Sequence, residues 1–341
     1  MGIKKICMIR KLFLYGLLGV ALMTGVSCDG NKKGSNLGKS ISAANELLVV
    51  CNKDWLKSSQ AEAFRQIVNA DMPCLPQQES YFRLTNINPA AFKDRFRFYA
   101  LIVQAEFGKE HPKAEVQVAR NVYCQPQLVV KLVAPDEAAF TQLCEEHRDE
   151  VLRMLNEEET KRNVKLLQRT YSGLVQSQAK KQFGCDVHAP EEINAIKEGT
   201  DFFWASSEGD HDNYLNFCMY AYPYDSAQSL TEEAVIAKRD SIMRLNILGE
   251  TMPDGQVPYM TTDHNVLQST VQKVGSRNVL EIRGLWAMEH EAMGGPFVLQ
   301  AQYDSIHQRV LVAEGFVFAP NKKKREYVRQ LEAALQTLTF L

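Results

Sequence analysis

The sequence predicts an α+β fold with two related halves, each an antiparallel sheet packed against helices. Apolar segments of strand length alternate along the chain with longer segments of helical periodicity. An apolar strand, the pair Ala-Pro, an Asp or Asn and then a helix follow one another twice, around residues 134–136 and 319–321. This echo indicates that one α+β unit is repeated along the chain.

The elements of the first half follow from local patterns. Residues 46–51 are apolar and β-branched, which predicts a strand, and four apolar residues on one face predict a helix over residues 57–69. Asp136 can cap a helix that runs to residue 155. Further extended segments are predicted at residues 81–87, 96–105, 115–118 and 128–133.

The second half begins with a long predicted helix over residues 158–183, which Gly184 ends. Thr231 can cap a second helix to residue 248, and the Pro- and Gly-containing residues 249–265 predict a loop. Strands are predicted at residues 200–206, 214–222, 278–286, 297–303 and 310–318, and a last helix at residues 322–338. The domain prediction is therefore a first α+β unit over residues 45–157 and a second over residues 158–341.

The N-terminus has the layout of a secretory signal peptide. Four cationic residues come before an apolar run over residues 12–26, which is shorter than the roughly 20 residues that cross a bilayer. Ser27 and Cys28 follow, as in the lipobox of bacterial lipoproteins, although Gly25 stands where that motif usually has Leu. Residues 1–27 are therefore predicted as a lipoprotein signal peptide and Cys28 as the lipidation site. A plain signal peptide and an uncleaved membrane helix are the alternatives.

Residues 28–44 are polar and rich in Gly, Ser, Asn and Lys, which predicts a flexible tether. The lipid anchor would make the membrane a partner of the protein. A single acidic residue, Asp29, follows the cysteine, which favours the periplasmic side of the outer membrane over the cell surface. We therefore expect a lipid-anchored protein of the cell envelope.

Composition bounds the function. The 341 residues carry a formal charge of −2, and removal of the four cations of the signal leaves −6, which argues against a nucleic-acid partner. Six cysteines remain beyond Cys28, and none is in a CxxC pair, so neither a zinc ribbon nor a thioredoxin-like site is expected. Cys51 and Cys218 lie in apolar segments and are predicted to be buried. Most of the six cysteines are expected to be free, with one disulfide as the alternative. No metal and no cofactor are predicted.

Several blocks of the sequence resemble one uncharacterised family. They are Phe82, Asn88-Pro89, Phe92, residues 124–130, Arg283-Gly284-Leu285-Trp286, Gly294-Gly295-Pro296-Phe297 and residues 315–320. Together they are similar to the bacterial lipoprotein family catalogued as domain of unknown function 4837, over nearly the whole mature chain. The resemblance implies a lipoprotein address and a shared fold. It implies no mechanism.

Two neighbouring segments contain the candidate site residues. Arg283 and Trp286 place a cation and a large aromatic ring close together, as in many binding anchors, although a Trp at a strand end is usually part of a core. Glu289 and His290 could perform acid–base chemistry in a cleft, or belong to a solvated turn. Gly294-Gly295-Pro296 lacks the residues of a phosphate loop and is predicted to turn the chain into the next strand.

For three other polar segments, we favour a structural role over a role in catalysis or binding. Asp210-His211-Asp212 with Glu208 has metal-ligand residue types but fits a polar turn, and Cys185 with His188 lacks a partner motif for nucleophilic chemistry. The basic residues 322–325 at the start of the last helix oppose its dipole and can be a solvated or an interaction face.

The favoured function is a non-enzymatic binding or scaffolding module of the envelope, with an envelope protein as its possible partner. The alternatives are an envelope hydrolase that uses the Glu289–His290 region, and a carrier that holds a small ligand near Trp286. A cavity in which Glu289, His290 and Arg283 converge would favour the hydrolase, and a flat apolar patch would favour a protein partner.

Overall fold

The structure is a computed structural model, and it describes residues 37–207, 214–274 and 277–341. Leu37–Leu341 form one unit that contains two main sheets, each packed against helices, which confirms the α+β class. The predicted signal peptide, Cys28 and the first part of the predicted tether lie outside the described residues. Among the described residues, no helix is long and apolar enough to cross a bilayer.

The first sheet contains five strands of the described residues, in the order β2-β1-β3-β5-β4. The strands are β1 (Glu46–Val50), β2 (Arg83–Ile87), β3 (Leu101–Phe107), β4 (Glu115–Arg120) and β5 (Leu128–Ala134). Strand β1 pairs in parallel with β2 and β3, and β3 pairs in parallel with β5. The predicted antiparallel pairing holds in this sheet for β4 and β5.

The parallel arrangement follows from the apolar character of the central strands. Strands β1, β3 and β5 are buried at almost every position, and strands covered on both faces read as continuous apolar runs. Helices α1 (Lys53–Lys57) and α2 (Glu62–Val68) form the crossover that a parallel β1–β2 pair requires. On the other face, Phe92, Phe96 and Tyr99 pack on the sheet from short 3₁₀ turns, so the predicted strand over residues 96–105 begins only with β3.

The third helix, α3 (Glu137–Leu167), is 31 residues long and runs through the predicted domain boundary between residues 157 and 158. The side chain of Asp136 accepts a hydrogen bond from the backbone N–H of Ala139 at 2.9 Å, so the predicted cap is confirmed. The next helix, α4 (Gly173–Phe183), begins after Ser172, whose Oγ accepts from the N–H of Val175. The single helix predicted over residues 158–183 is therefore two helices with a break between them.

The second half adds a larger sheet, which is antiparallel throughout and confirms that prediction. Among the described residues it has seven strands in the order β10-β11-β12-β13-β9-β8-β7. Its elements after α4 are β6 (Cys185–Asp186), β7 (Ile193–Gly199), β8 (Phe202–Ser207), β9 (Tyr214–Pro223), α5 (Glu232–Asn246), β10 (Tyr259–Val274), β11 (Arg277–Glu289), β12 (Glu291–Asp304), β13 (Arg309–Phe318), α6 (Arg325–Gln336) and β14 (Thr339–Phe340). The two sheets differ in strand number, order and direction, so the Ala-Pro echo is a shared local connection.

Strand β10 begins at Tyr259 and so includes the last part of residues 249–265, the segment predicted as a loop. It is the edge strand of the large sheet, and most of its side chains are exposed or only partly buried. An edge strand needs few apolar residues, because one of its sides faces solvent. The polar composition of residues 259–274 therefore concealed a strand of 16 residues.

The large sheet carries α4 and α6 on one face and α5 on the other. The first face packs Phe203, Phe217 and Val298 against α4 and α6, whereas the second packs Phe297, Leu299 and other apolar residues against α5. Helix α3 reaches from the first sheet to α6, where Nη1 of Arg329 donates to Oδ1 of Asn156 at 2.8 Å. The two halves therefore meet along α3 and α6.

Candidate functional site

Arg283 and Trp286 lie on opposite faces of the large sheet. Both belong to β11, and side chains of a strand alternate between faces, so residues three apart point in opposite directions. Arg283 contacts Glu332 of α6, whereas Trp286 is in the core beneath α5. The structure therefore does not bring the two predicted binding residues together.

Arg283 is held by two carboxylates. Its Nη2 donates to Oε1 of Glu281 at 2.7 Å, and its Nη1 forms an ion pair with Glu332. The amides of Gln272 and Gln300 donate to the other oxygen of Glu281, at 3.1 and 3.3 Å. Burial by itself would lower the pKa of Arg283, but Glu332 and Glu281 outweigh burial and raise that pKa. Arg283 is therefore a permanent cation that fastens α6 to β11.

A cavity of about 810 Å³ lies where α3, α6 and the β10–β11 edge meet, and we call it the junction cavity. Its walls combine one face of α3 with one face of α6. The lining residues are Tyr81, Arg153, Asn156, Glu157, Thr160, Lys161, Val164, Lys165, Gln168, Thr270, Gln272, Glu281, Arg283, Arg329, Glu332 and Gln336. Five of these side chains are cationic and three are carboxylates, so the wall carries an excess of two positive charges.

A second cavity, of about 420 Å³, lies on the opposite face of the sheet beside Trp286, and we call it the aromatic cavity. Aromatic rings and methionine side chains form most of its wall. The lining residues are Trp204, Ser206, Tyr214, Asn216, Ile247, Leu248, Gly249, Met260, Trp286, Met288, Glu291, Met293, Phe316 and Phe318. The ring of Trp286 lies 5.7 Å from that of Phe316 and 6.3 Å from that of Phe318.

The indole N–H groups and the Asn216 amide of this wall already have hydrogen-bond partners within the protein. Nε1 of Trp286 donates to the carbonyl oxygen of Val317 at 3.2 Å, and Nε1 of Trp204 donates to Oδ1 of Asn216 at 2.9 Å. The amide of Asn216 in turn donates to the carbonyl oxygens of Tyr214 and Phe316. The cavity therefore presents a mainly apolar surface with fixed rings.

Gly294 and Gly295 do not form the predicted turn, because both lie inside β12. A Cβ atom on Gly295 would collide with the carbonyl oxygen of Val317, and one on Gly294 would lie 2.7 Å from the carbonyl oxygen of Trp286. The glycines let the backbone of β12 pass close to Trp286 and β13. They shape the wall that supports the aromatic cavity.

Glu289 and His290 lie at the turn between β11 and β12, where both side chains are exposed. His290 has a φ of 70°, which is the left-handed backbone conformation of a tight turn, and its ring lies edge-on to Tyr259 at 6.4 Å. Glu291, the next residue, lines the aromatic cavity instead. Arg283 does not converge with Glu289 and His290, since it lies in the junction cavity.

The structure describes one of the two other polar segments that carry metal-ligand or nucleophile residue types. Residues 208–213, which include Asp210, His211 and Asp212, lie outside the described residues. Cys185 is buried in β6, and burial raises the pKa of its thiol to about 12, while His188 stacks on Tyr171 with ring centroids 4.1 Å apart. In the described residues, no group of three or more His, Cys, Asp or Glu side chains is arranged to hold a metal ion.

Arg329 is a site residue that was not predicted from the sequence. It lies on the buried side of α6, between Val328 and Leu331, and is only 2% exposed. The available signal was a pair of charged residues, Arg329 and Glu332, at positions of an amphipathic helix that an apolar stripe would occupy. In a helix built to bury that stripe, such charges indicate an internal polar site.

Two family models match adjacent parts of the chain. Residues 40–168 match the model described as Domain of unknown function (DUF8532), and residues 172–337 match the model described as Domain of unknown function (DUF4837). The resemblance to the second family therefore covers the second half, and the blocks between residues 82 and 130 fall in the first model.

Other similarities are distant. No curated protein matches the chain. A crystal structure of a protein from Bacteroides thetaiotaomicron VPI-5482 is 12% identical over 46% of this chain, with a TM-score of 0.27. The match spans 45% of that protein's own length. Residues 172–337 therefore carry the domain described as Domain of unknown function (DUF4837).

Proposed function

We propose that this protein is a lipid-anchored envelope protein whose folded body is a non-enzymatic binding module for a small apolar ligand, held in the aromatic cavity. The observation that carries the ligand proposal is the wall of that cavity, which is built from Trp204, Trp286, Phe316 and Phe318. The anchor is proposed from the sequence around Cys28. The orientation towards the periplasm from the outer membrane belongs to the same proposal.

The dimensions and the chemistry of the cavity support an apolar ligand. Its volume of about 420 Å³ is within the range of about 300–1,000 Å³ that is typical of small-molecule sites. Met260, Met288 and Met293 add flexible apolar side chains that can adjust to the shape of a ligand. Because the indole and amide groups of the wall already have partners within the protein, a ligand does not need to satisfy them.

The hydrolase alternative finds less support in the geometry. It needs Glu289, His290 and Arg283 around one substrate, but the first two are exposed on a turn and the third is held in ion pairs on the other face. Acid–base catalysis requires groups within hydrogen-bond reach of the reacting atoms. A binding role is therefore the better-supported proposal for the part of the chain that the structure describes.

The ligand proposal can be tested with N-phenyl-1-naphthylamine, a neutral apolar dye that fluoresces in an apolar site. We expect saturable binding to the whole protein and a loss of at least about tenfold in affinity in Met293→Glu, because a carboxylate beside apolar rings is costly to desolvate. Ala292→Glu is the matched control, since Ala292 is exposed and does not line the cavity. Equal loss in both variants, or none in either, would reject this cavity as the ligand site.

The anchor can be tested by growing cells with labelled palmitate. We expect the wild-type protein to carry the label and Cys28→Ala to lose it, because the acyl chains are proposed to reside on the modified Cys28. Cys7→Ala is the control, because Cys7 belongs to the segment that cleavage would remove. Label that persists in Cys28→Ala would contradict the proposed anchor and leave the ligand proposal to be judged separately.

A further inference from the structure

Arg329 is a buried cation that lacks an anionic partner. It is 2% exposed and lines the junction cavity, and its hydrogen bond to Asn156 at 2.8 Å uses Nη1. Its Nε and Nη2 atoms are buried and have no hydrogen-bond partner within the described residues. A charged group inside a protein is normally paired, because desolvation of an unpaired charge costs several kcal/mol.

Two other arginines at the surfaces of the large sheet, Arg239 on α5 and Arg283 on β11, show which partner Arg329 lacks. Arg239 is fully buried, and Glu314 accepts hydrogen bonds from its Nε and Nη2 at 3.0 and 2.6 Å. Arg283 has Glu281 and Glu332. Arg329 has instead the rings of Tyr81 and Phe82, whose centroids lie 5.7 and 5.2 Å from its Cζ. Burial lowers the pKa of Arg329, and the more distant Glu332 and Glu159 offset only part of this effect.

The free atoms of Arg329 form one edge of the guanidinium group. Nε–H and one N–H of Nη2 point the same way and are spaced to donate to the two oxygens of a carboxylate or a phosphate. This is the edge that Glu314 occupies on Arg239. The buried, unpaired edge of Arg329 therefore has the donor spacing of a bidentate oxyanion site.

The carboxylates of the junction cavity cannot fill that edge in this arrangement. Glu281 and Glu332 bind Arg283, and Glu157 lies 2.7 Å from Nη1 of Arg153. Lys161 and Lys165 are exposed on the α3 wall of the cavity and form no ion pair with the described residues. Arg329 and these two lysines are thus the cations of the cavity lining that form no ion pair with the described residues.

We propose that the junction cavity binds a small organic oxyanion, a carboxylate or a phosphate, through the Nε–Nη2 edge of Arg329. Lys161 and Lys165 draw the anion to the cavity, and Val164 and Tyr81 contact the carbon skeleton of the ligand. This site is separate from the aromatic cavity, which lies on the other face of the sheet. It adds a second ligand class that the apolar-ligand proposal neither requires nor excludes.

The test uses the whole chain in detergent, with citrate and inorganic phosphate as the probes and sodium chloride of matched ionic strength as the reference. Isothermal titration measures affinity, and thermal unfolding measures the rise in Tm that binding produces. We expect at least one probe to bind and to raise Tm above the chloride reference. Arg329→Met should weaken that binding at least about tenfold, and Arg329→Lys should do so too, since lysine keeps the charge but lacks the fork.

A second measurement separates a binding arginine from a structural one. Without a probe, Arg329→Met should unfold at the same Tm as the wild type or at a higher one, because the variant removes an unpaired buried charge and keeps an apolar chain. Arg325→Met is the control on the same helix. Arg325 is also buried, but it lies outside the cavity and donates to the carbonyl oxygen of Ser80 at 3.0 Å, so its loss should lower Tm and leave probe binding intact.

Three results would overturn the proposal. They are the absence of any effect of both probes relative to chloride at millimolar concentrations, probe binding that survives in Arg329→Met, and a fall in Tm of probe-free Arg329→Met as large as that of Arg325→Met. If the wild-type protein binds N-phenyl-1-naphthylamine, then binding of this dye by Arg329→Met verifies that the variant is folded. Failure of the dye experiment in the wild type would leave the oxyanion test unaffected.

Discussion

The buried arginines that pack against the large sheet differ in whether a carboxylate neutralises them. Arg239 and Glu314 are both fully buried, and the guanidinium of Arg239 also lies 4.1 Å from the ring centroid of Phe297. Such a pair adds little net stability, although removing one partner typically costs about 3–5 kcal/mol. Arg329 already resembles the half-broken state of such a pair, which is why it is the residue with the clearest potential for binding.

Asp304, at the turn between β12 and β13, makes a pH-dependent contribution to the stability of the fold. Its Oδ2 lies 2.7 Å from Nδ1 of His307 and accepts from Nε of Arg309 at 2.9 Å. Burial by itself would raise the pKa of Asp304, but these hydrogen bonds outweigh burial and lower that pKa below its usual value. A depressed carboxylate pKa stabilises the fold above the unfolded-state value of about 3.9, and this stabilisation is lost as pH falls through the folded-state value.

We therefore expect Asp304→Asn to reduce the free energy of unfolding by about 1–2 kcal/mol near pH 7, measured by urea denaturation. The difference from the wild type should shrink as pH falls below about 4, because the wild-type carboxylate then takes up its proton. Ser305→Ala, in the same turn, should stay within about 0.5 kcal/mol at either pH. A cost that is the same near pH 7 and near pH 3 would show that the charge of Asp304 is not its source.

At the residue scale, some features of the site follow from the local sequence and others depend on the tertiary structure. The spacing of Arg283 and Trp286 places them on opposite faces as soon as residues 278–286 are predicted as a strand, so their separation was predictable. The open edge of Arg329 was not, because it depends on which carboxylates reach α6 from β11 and α3. The alternation of side chains along a strand follows from the local sequence, whereas the pairing of a buried charge depends on the tertiary structure.

The start of α6 illustrates how an element is completed by a distant segment. The basic run over residues 322–325 opposes the helix dipole, and the cap residue Lys324 provides no side-chain cap of its own. Glu79, from the first half, accepts hydrogen bonds from the backbone N–H groups of Lys324 and Arg325 at 2.7 and 3.2 Å. A carboxylate from 245 residues earlier in the chain therefore caps the last helix.

We expect Glu79→Ala to lower the free energy of unfolding by about 1–2 kcal/mol, since two N–H groups lose their acceptor and the helix loses an anion at its N-terminus. The measurement is urea denaturation near pH 7. Gln77→Ala is the control, because Gln77 is exposed two residues earlier, and it should change stability by less than about 0.5 kcal/mol. If the two variants lower the free energy of unfolding by the same amount, the cap would have no energetic role.

The elements themselves were predictable where the pattern was strong. Strand β13 and helix α5 lie close to their predicted ranges, because long apolar runs and a Thr231 cap are local signals, whereas β12 begins at Glu291, well before the predicted start at residue 297. The break after α3 was placed too early, although Ser172-Gly173 carried the start signal of the next helix. Strand β10 was missed, since its pairing with β11 and not its composition makes it a strand.

At the scale of the whole molecule, α3 links the two halves into one structure. Its N-terminal part packs Phe140, Leu143 and Val151 in the core of the first sheet, and its C-terminal part packs Val164 and Leu167 against the core of α4 and α6. Because the two ends of α3 pack in different cores, unfolding of one core would also expose the helix residues that pack in the other. The two halves should therefore unfold together.

This prediction can be checked with the three tryptophans. Trp204→Phe combined with Trp286→Phe leaves Trp55 as a probe of the first half, and Trp55→Phe leaves the probes of the second half. In urea, we expect the two fluorescence transitions to have the same shape after correction for the stability of each variant, as a two-state transition requires. An unfolding intermediate that is visible to one probe and not to the other would contradict it.

The continuity of α3 also limits which insertions and deletions the sequence can accept during evolution. Each residue of an α-helix turns the chain by about 100°, so one inserted or deleted residue near the middle of α3 would rotate its later side chains away from α6 and the junction cavity while the earlier ones stayed in place. Loops such as residues 249–258 are free of this constraint. We therefore expect related chains to vary in the length of their loops and to keep the number of residues between Asp136 and Leu167 constant.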